Sequence, residues 1–247
     1  MSYQVARCLL LLFLGTSSVA ANLQVRWLPQ VLPGDWTLSA NCGPTSVLMV
    51  ASYYAGTIPT AEGIEQLDDE MLSLFGYSTN SDNGTDAGDN GTEPTGYDLA
   101  TLAIDYFHLS DSHRYANWTI PQLQQELANG YPVIIAVFTH MNPADGYHKH
   151  FMVLVGMDDN FVYVNDPGRT WQQTHAGPLA YTIGAFQTAW KENAGNAVVV
   201  IHPNAPIPPL SPTWSHFTPS GTGPSIIGYR PVYDPGSNRL ILYVGIL

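Results

Sequence analysis

Cysteine is nearly missing from this chain, with two in 247 residues, Cys8 and Cys42. That excludes a disulfide scaffold, which needs several pairs. Positive charge is also scarce: 8 Lys+Arg stand against 20 Asp+Glu, and only Lys149 and Lys191 are lysines. A nucleic-acid binder carries a basic face, and an anionic membrane surface asks for the same, so neither is a partner expected here. Long apolar runs are absent too. The longest, Cys8 to Leu14, is far short of a bilayer span. The net charge of -12 serves solubility and would also suit cationic peptide substrates.

The amino terminus has the plan of a secretory signal, assigned to residues 1–21. Arg7 supplies the positive region, Cys8 to Leu14 the apolar core, and Ser18-Val19-Ala20 small residues for cleavage. No cysteine stands at the cleavage site, which disfavours a lipoprotein. The expectation is an exported protein without a membrane anchor, secreted or periplasmic. Cleavage would leave Cys42 alone, unable to form an intramolecular disulfide. A leftover cysteine in an exported chain is either an intermolecular link or a reactive thiol. The plain alternative is a buried structural cysteine.

Local sequence favours the thiol. Asn41-Cys42-Gly43-Pro44-Thr45-Ser46 precedes the apolar run Val47 to Tyr54. It predicts a turn that delivers Cys42 to the start of a core helix, with Pro44 at its opening and Gly56 at its end. Unpaired N–H groups gather at a helix start and favour a thiolate, the nucleophilic form. Further on, Ala61–Phe75 predicts an amphipathic helix with an acidic face at Asp68, Asp69 and Glu70. Asp98 caps a third helix, and Thr119 with Gln122 opens a fourth as a capping box. Tyr131 to Phe138, with Pro132 near its start, and Ala197 to Ile201 are predicted strands, and Ile183 to Trp190 a helix.

Other patterns invite ligands without supplying them. The polar stretch Gly76 to Gly96 predicts a long loop. Its best calcium register, Asp82 to Glu93, has Gly84 at a ligand position and Ala87 at the turn glycine. Asn83, Asn90 and Asn117 fit the glycosylation pattern. His148 and His150 alternate as a zinc pair would, with His140 and His175 nearby in sequence, but no further ligand has suitable spacing. No metal and no cofactor is expected.

His150 to Val155 and Phe161 to Asp166 predict two strands of a hairpin, joined by Gly156 to Asn160. A symmetric hairpin centred on Asp158 sets His150 directly opposite Asp166, Cβ atoms about 5 Å apart. A carboxylate there fixes the imidazole tautomer and stabilises the charged ring. The order is then Cys42, His150, Asp166: a thiol, a base and an orienting group.

Asn-Cys-Gly-Pro-Thr-Ser and His-Phe-Met-Val-Leu-Val-Gly-Met-Asp-Asp-Asn-Phe-Val-Tyr-Val-Asn-Asp-Pro resemble the bacteriocin-processing cysteine peptidase family (family thirty-nine), and more closely its stand-alone peptidase-like branch. The resemblance runs from about Val25 to Ile201. It implies an α+β, papain-like fold in which a central helix carrying the nucleophile packs on an antiparallel sheet carrying the base. It implies Cys42 as nucleophile, His150 as general base and acid, Asp166 as orienting residue, and Gln30 with the Cys42 backbone N–H as the oxyanion hole. Pro33-Gly34-Asp35-Trp36 looks inserted between Gln30 and Cys42 relative to the family pattern. The implied activity is peptide hydrolysis through a thioester, on a peptide or protein substrate. A deamidase or acyltransferase using the same triad, and a silent peptidase-like binding module, are the alternatives. The expected organisation is a signal at 1–21, the peptidase-like domain at 22–202, a Pro-rich linker or strap at 203–224 and a C-terminal β-hairpin at 225–247.

Overall fold

A computed structural model describes residues 22–30, 40–79, 93–138, 141, 149–168, 178–204, 226–234 and 239–246. The signal segment, the turn at Pro33 to Trp36, most of the Gly76–Gly96 loop with its calcium register, His140, His148 and His175, and nearly all of the 203–224 stretch lie outside the described residues.

The element order is α1 (Cys42–Ala55), α2 (Ala61–Phe75), α3 (Gly96–Asp105), β1 (Asp111–Tyr115), α4 (Ile120–Ala128), β2 (Val133–Phe138), β3 (Lys149–Met157), β4 (Phe161–Asn165), β5 (Leu179–Thr182), α5 (Ile183–Ala194), β6 (Val198–His202), β7 (Ile226–Asp234) and β8 (Arg239–Ile246). Strands β1 to β6 form one sheet in the order β1-β6-β2-β3-β4-β5, every pairing antiparallel. Strands β7 and β8 pair separately as a two-stranded sheet.

The large sheet is covered on both faces, which is why β2 is apolar throughout. Ile134, Val153, Val155, Val199 and Ile201 meet Val47, Met49, Leu67 and Leu102 of α1, α2 and α3. Val133, Ile135, Met152, Val164 and Val200 meet Leu123 of α4 and Phe186 and Trp190 of α5. Alternate residues of one strand thus serve two cores. Each fully buried side chain of this size contributes about 1.5–3 kcal/mol by leaving water.

Helix α1 is the centre of the first layer, with Cys42 through Ser52 all buried. It begins earlier than its proline suggested. Cys42 is the first helical residue and Pro44 the third, still inside the turn whose N–H groups have no helical partner. Gly56 ends it in the left-handed conformation, φ 67°. Helix α3 is likewise capped by Thr95, not Asp98. Asp98 is its box partner, accepting from the Thr95 N–H at 2.8 Å. In α4 Gln122 Oε1 accepts from the Thr119 N–H at 3.0 Å, as the sequence predicted.

The β3–β4 hairpin differs from the symmetric expectation. The strands run to Met157 and from Phe161, leaving Asp158, Asp159 and Asn160 as the loop. Asp158 Oδ1 closes it by accepting from the N–H groups of Asn160 and Phe161 at 2.8 and 2.9 Å. A register shift between Leu154 and Gly156 leaves Val153 opposite Asn165. Extended past the strand end, this register puts Asp166 opposite Met152 and Gly168 opposite His150. The tighter loop and the bulge moved the pairing by two residues, which preserves side-chain parity. Asp166 therefore remains a diagonal neighbour of His150.

Candidate active site

The first turn of α1, the start of β3 and the chain just after β4 converge. Cys42 stands at the helix start, 7% exposed, because the turn before it is tied down. Ala40 N–H donates to Thr79 O at 2.9 Å, and Thr79 Oγ1 is 2.6 Å from Asn41 Oδ1. Ser46 Oγ donates to Cys42 O at 2.7 Å, securing the first turn from within.

His150 Nε2 lies 2.6 Å from Asp166 Oδ1, both side chains buried. Asp166 Oδ1 also accepts the Gly168 N–H at 2.8 Å, so the carboxylate is aimed by its own turn. Burial alone would lower the pKa of His150. The charge and hydrogen bond of Asp166, with the hydrogen bond and charge of Cys42, outweigh it and push the imidazole up to about 10. A ring held in that way favours its protonated form, and both His150 and Cys42 line the same cleft.

Gly168 is what makes the diagonal pair possible. A Cβ there would lie 2.9 Å from His150 Cε1, 3.0 Å from His150 Nε2 and 3.2 Å from Asp166 Oδ1. Only a glycine lets the chain pass so close to the ring.

The segment 22–30 braces the same corner. Leu23 N–H donates to Val155 O at 2.7 Å, and Asn165 Nδ2 donates to Val25 O at 2.8 Å. Trp27 Nε1 donates to Asp166 O at 2.8 Å, and Gln30 N–H to Pro167 O at 2.8 Å. Gln30 is buried. Its backbone is thereby fixed one residue beyond the carboxylate that holds His150.

Sequence patterning missed part of this. Asp68, expected on the acidic surface of α2, is buried and accepts from Ser78 Oγ, Thr79 N–H and Thr79 Oγ1 at 2.7, 2.6 and 2.9 Å. It anchors Thr79, which anchors Asn41. The only advance signal was Ser78-Thr79 opening a polar loop just after an amphipathic helix. Among the described residues no group of three or more His, Cys, Asp or Glu side chains comes together as a metal site.

A cleft of about 250 Å³ opens beside Cys42 and His150. Its lining includes the apolar Ala136, Phe151 and Val199, the segment Glu93 to Gly96, and Arg114 and Lys149. It is large enough for a peptide side chain, and Cys42 is among its lining residues.

A model of the Peptidase C39-like family matches residues 22–198. The chain belongs to that family. A search of curated proteins finds no match. Among solved structures, a Bacillus anthracis protein assigned to the C39-like peptidases is similar at 20% identity and TM-score 0.53, over 72% of this chain and 95% of that one. The double-glycine-motif protease of an AMS/PCAT transporter, solved with its leader peptide, matches at 19% identity and TM-score 0.45, over 74% and 94%. The peptidase domain of Streptococcus ComA, a bifunctional ABC transporter of a quorum-sensing pathway, matches at 14% identity and TM-score 0.45, over 73% and 99%. The similarity to the Bacillus anthracis protein places the chain in the α+β, papain-like class, with α1 packed on the antiparallel sheet.

Proposed function

We propose that this member of the C39-like family is an exported thiol peptidase. The observation that carries the proposal is the buried 2.6 Å His150–Asp166 bond next to Cys42 at a helix start. A carboxylate only accepts, so Nε2 keeps its proton toward Asp166. That leaves Nδ1 to exchange a proton with the sulfur. The Cys42 thiolate attacks the scissile carbonyl carbon, and the oxygen takes up the negative charge. The Cys42 backbone N–H, which has no helical partner, and the Gln30 amide stabilise that oxyanion. The His150 imidazolium protonates the leaving amine as the C–N bond breaks, leaving a thioester on Cys42. Water then attacks the thioester, giving its proton to His150. The carboxylic acid leaves and the thiolate–imidazolium pair is restored. The chemistry requires no metal or organic cofactor.

Export rests on the signal-like segment at residues 1–21. N-terminal sequencing of protein recovered from outside the cytoplasm should begin at Ala21 or Asn22. A full-length product retained in the cytoplasm would overturn the export claim. Double-glycine leader specificity is not part of the proposal.

Mass spectrometry of a broad peptide library incubated with the purified chain tests the activity. Backbone cleavage by wild type, absent in Cys42→Ala and in His150→Ala, is the expected result. A one-dalton change at amide side chains would instead mark a deamidase, and an adduct an acyltransferase. No product of any kind would sink the enzyme and leave a peptidase-like binding module.

A further inference from the structure

The cleft beside Cys42 has a charge unlike that of the chain around it. The whole chain carries -12, yet two of its eight basic residues, Arg114 and Lys149, line this one opening. Arg114 is built into place. Its guanidinium carbon lies 5.0 Å from the centroid of the Tyr97 ring, and its NH1 donates to Tyr97 Oη at 3.4 Å. Gly96 makes room for the stem, since a Cβ there would lie 2.9 Å from Arg114 Cγ. Lys149 sits next to His150 at the opening of β3 and is exposed. Among the described residues neither cation forms an ion pair. Glu93 is the opposing charge, exposed at the rim. Asn193 adds a fixed amide, its Nδ2 donating to Val137 O at 2.6 Å. His150 adds no net positive charge, because Asp166 balances it, and a Cys42 thiolate adds one negative charge that Cys42→Ala removes.

We propose that this cleft is a carboxylate-recognising subsite, which makes the preferred substrates acidic peptides. Arg114 receives the carboxylate of an Asp or Glu side chain, or of the peptide's own terminus, and Lys149, with two strands of the sheet between it and Arg114, adds positive charge on the His150 side of the same cleft. A guanidinium fixed on an aromatic face offers paired N–H donors with little left to order, the geometry that a carboxylate accepts. The apolar lining residues Ala136, Phe151 and Val199 offer contact to the methylene stem. Glu93 excludes a second negative charge at the rim and turns away longer acidic runs. The substrate claim rests on the peptidase reading, whereas the binding claim does not.

The test has a binding arm and a turnover arm, both on the full chain. In the first, Cys42→Ala protein is titrated with fluorescent peptides matched as Glu against Gln, and as free C-terminal acid against C-terminal amide. The acidic member of one pair should bind about tenfold tighter at low salt, as a charge-assisted contact does. The pair that responds identifies the side-chain or the terminal carboxylate. High salt should erase most of the difference. Arg114→Gln and Lys149→Gln should each bring the ratio toward one, and Glu93→Gln should raise it. Arg114→Lys keeps the charge but not the flat fork, and should give an intermediate ratio. Lys149 is exposed, so its variant folds and keeps the test decisive if Arg114→Gln does not. In the turnover arm, wild type should show the same ratio in kcat/KM. Equal binding within both pairs, or a ratio unchanged in both the Arg114 and Lys149 variants, overturns the subsite. A charge preference in binding without any hydrolysis overturns the peptidase reading and leaves the subsite standing. Hydrolysis without a charge preference does the reverse.

Discussion

Gly168→Ala separates folding from positioning at this site. The new methyl would lie 2.9 Å from His150 Cε1 and 3.0 Å from Nε2. Ordinary carbon contacts fall at about 3.5–4.0 Å, so something must yield by about 0.5–1 Å. Gly168 is not among the glycines with positive φ, so alanine suits its backbone. Its N–H to Asp166 Oδ1 also survives the change. The ring is therefore the part that moves, and the 2.6 Å His150–Asp166 bond opens past about 3.2 Å, the outer limit of a good hydrogen bond. Overpacking of this kind costs about 1–3 kcal/mol of stability. Misplacing a reacting group by about 1 Å costs about 100-fold in rate. The variant should thus fold, melt a little lower, and lose about two orders of magnitude in kcat/KM on a peptide that wild type cleaves. Gly184→Ala is the control. It lies in α5 with nothing within 4 Å of its added Cβ, and should gain up to about 1 kcal/mol with no loss of rate. Peptide hydrolysis and thermal melting on the three proteins decide the matter. A Gly168→Ala enzyme with the wild-type rate would refute the claim that His150 works from this position.

Other changes probe the same structure from different sides. Asp68→Ala strips three acceptor contacts from Ser78 and Thr79 and frees the strap behind Asn41. Thr79 Oγ1 keeps Asn41 Oδ1, so two buried donors lose their acceptor; at about 1–3 kcal/mol each, a stability loss of about 2–5 kcal/mol is expected in denaturant melts, and Asp68→Asn should recover part of it. Gln30→Ala should lower kcat by about 100- to 1,000-fold with little change in KM, the signature of a lost oxyanion donor; an unchanged kcat would remove Gln30 from the site. His202 lies with Nδ1 2.9 Å from Asp111 and Nε2 2.8 Å from Glu126. Burial lowers its pKa, but the Glu126 and Asp111 contacts outweigh that and leave it raised. A raised folded value means that its stabilisation, about 1 kcal/mol, is complete below about pH 6.5 and fades as pH climbs through the raised value. The melting-temperature gap between wild type and His202→Gln should shrink in that direction; a gap constant with pH would contradict the assignment.

Several parts of this fold were legible because local chemistry and burial agree. The Ala61–Phe75 helix matches its predicted bounds, and β2, buried on both faces, appears as an unbroken apolar run. Strands β1 and β5 escaped notice for the opposite reason. Each lies at an edge of the sheet, and Asp111, His113 and Tyr115 are exposed, so no apolar alternation marks them. The His150–Asp166 partnership was found by a hairpin register that was itself off by two residues. It survived because an even offset keeps side-chain parity, and because Gly168 clears the diagonal path. Asp68 was misplaced on the surface because its partners, Ser78 and Thr79, lie beyond the end of its own helix. The cleft could not be seen in sequence at all, since Arg114 and Lys149 lie on β1 and β3, which line one cleft only through a sheet order that sets β6 and β2 between them.

The most direct measurement of the proposed Cys42–His150 pair is the rate of Cys42 alkylation by iodoacetamide against pH, in wild type and in His150→Ala. Cys42 lines the cleft, which gives the reagent a path. An ordinary thiol reacts only as pH approaches about 8.5, whereas a thiolate held by an imidazolium reacts well into the acidic range. Wild type should therefore alkylate rapidly at mildly acidic pH, and His150→Ala should lose that reactivity and recover it only near the ordinary thiol range. Alkylation that rises only at alkaline pH in both proteins, or a sulfur that no reagent reaches in either, would make Cys42 a structural residue and contradict the peptidase.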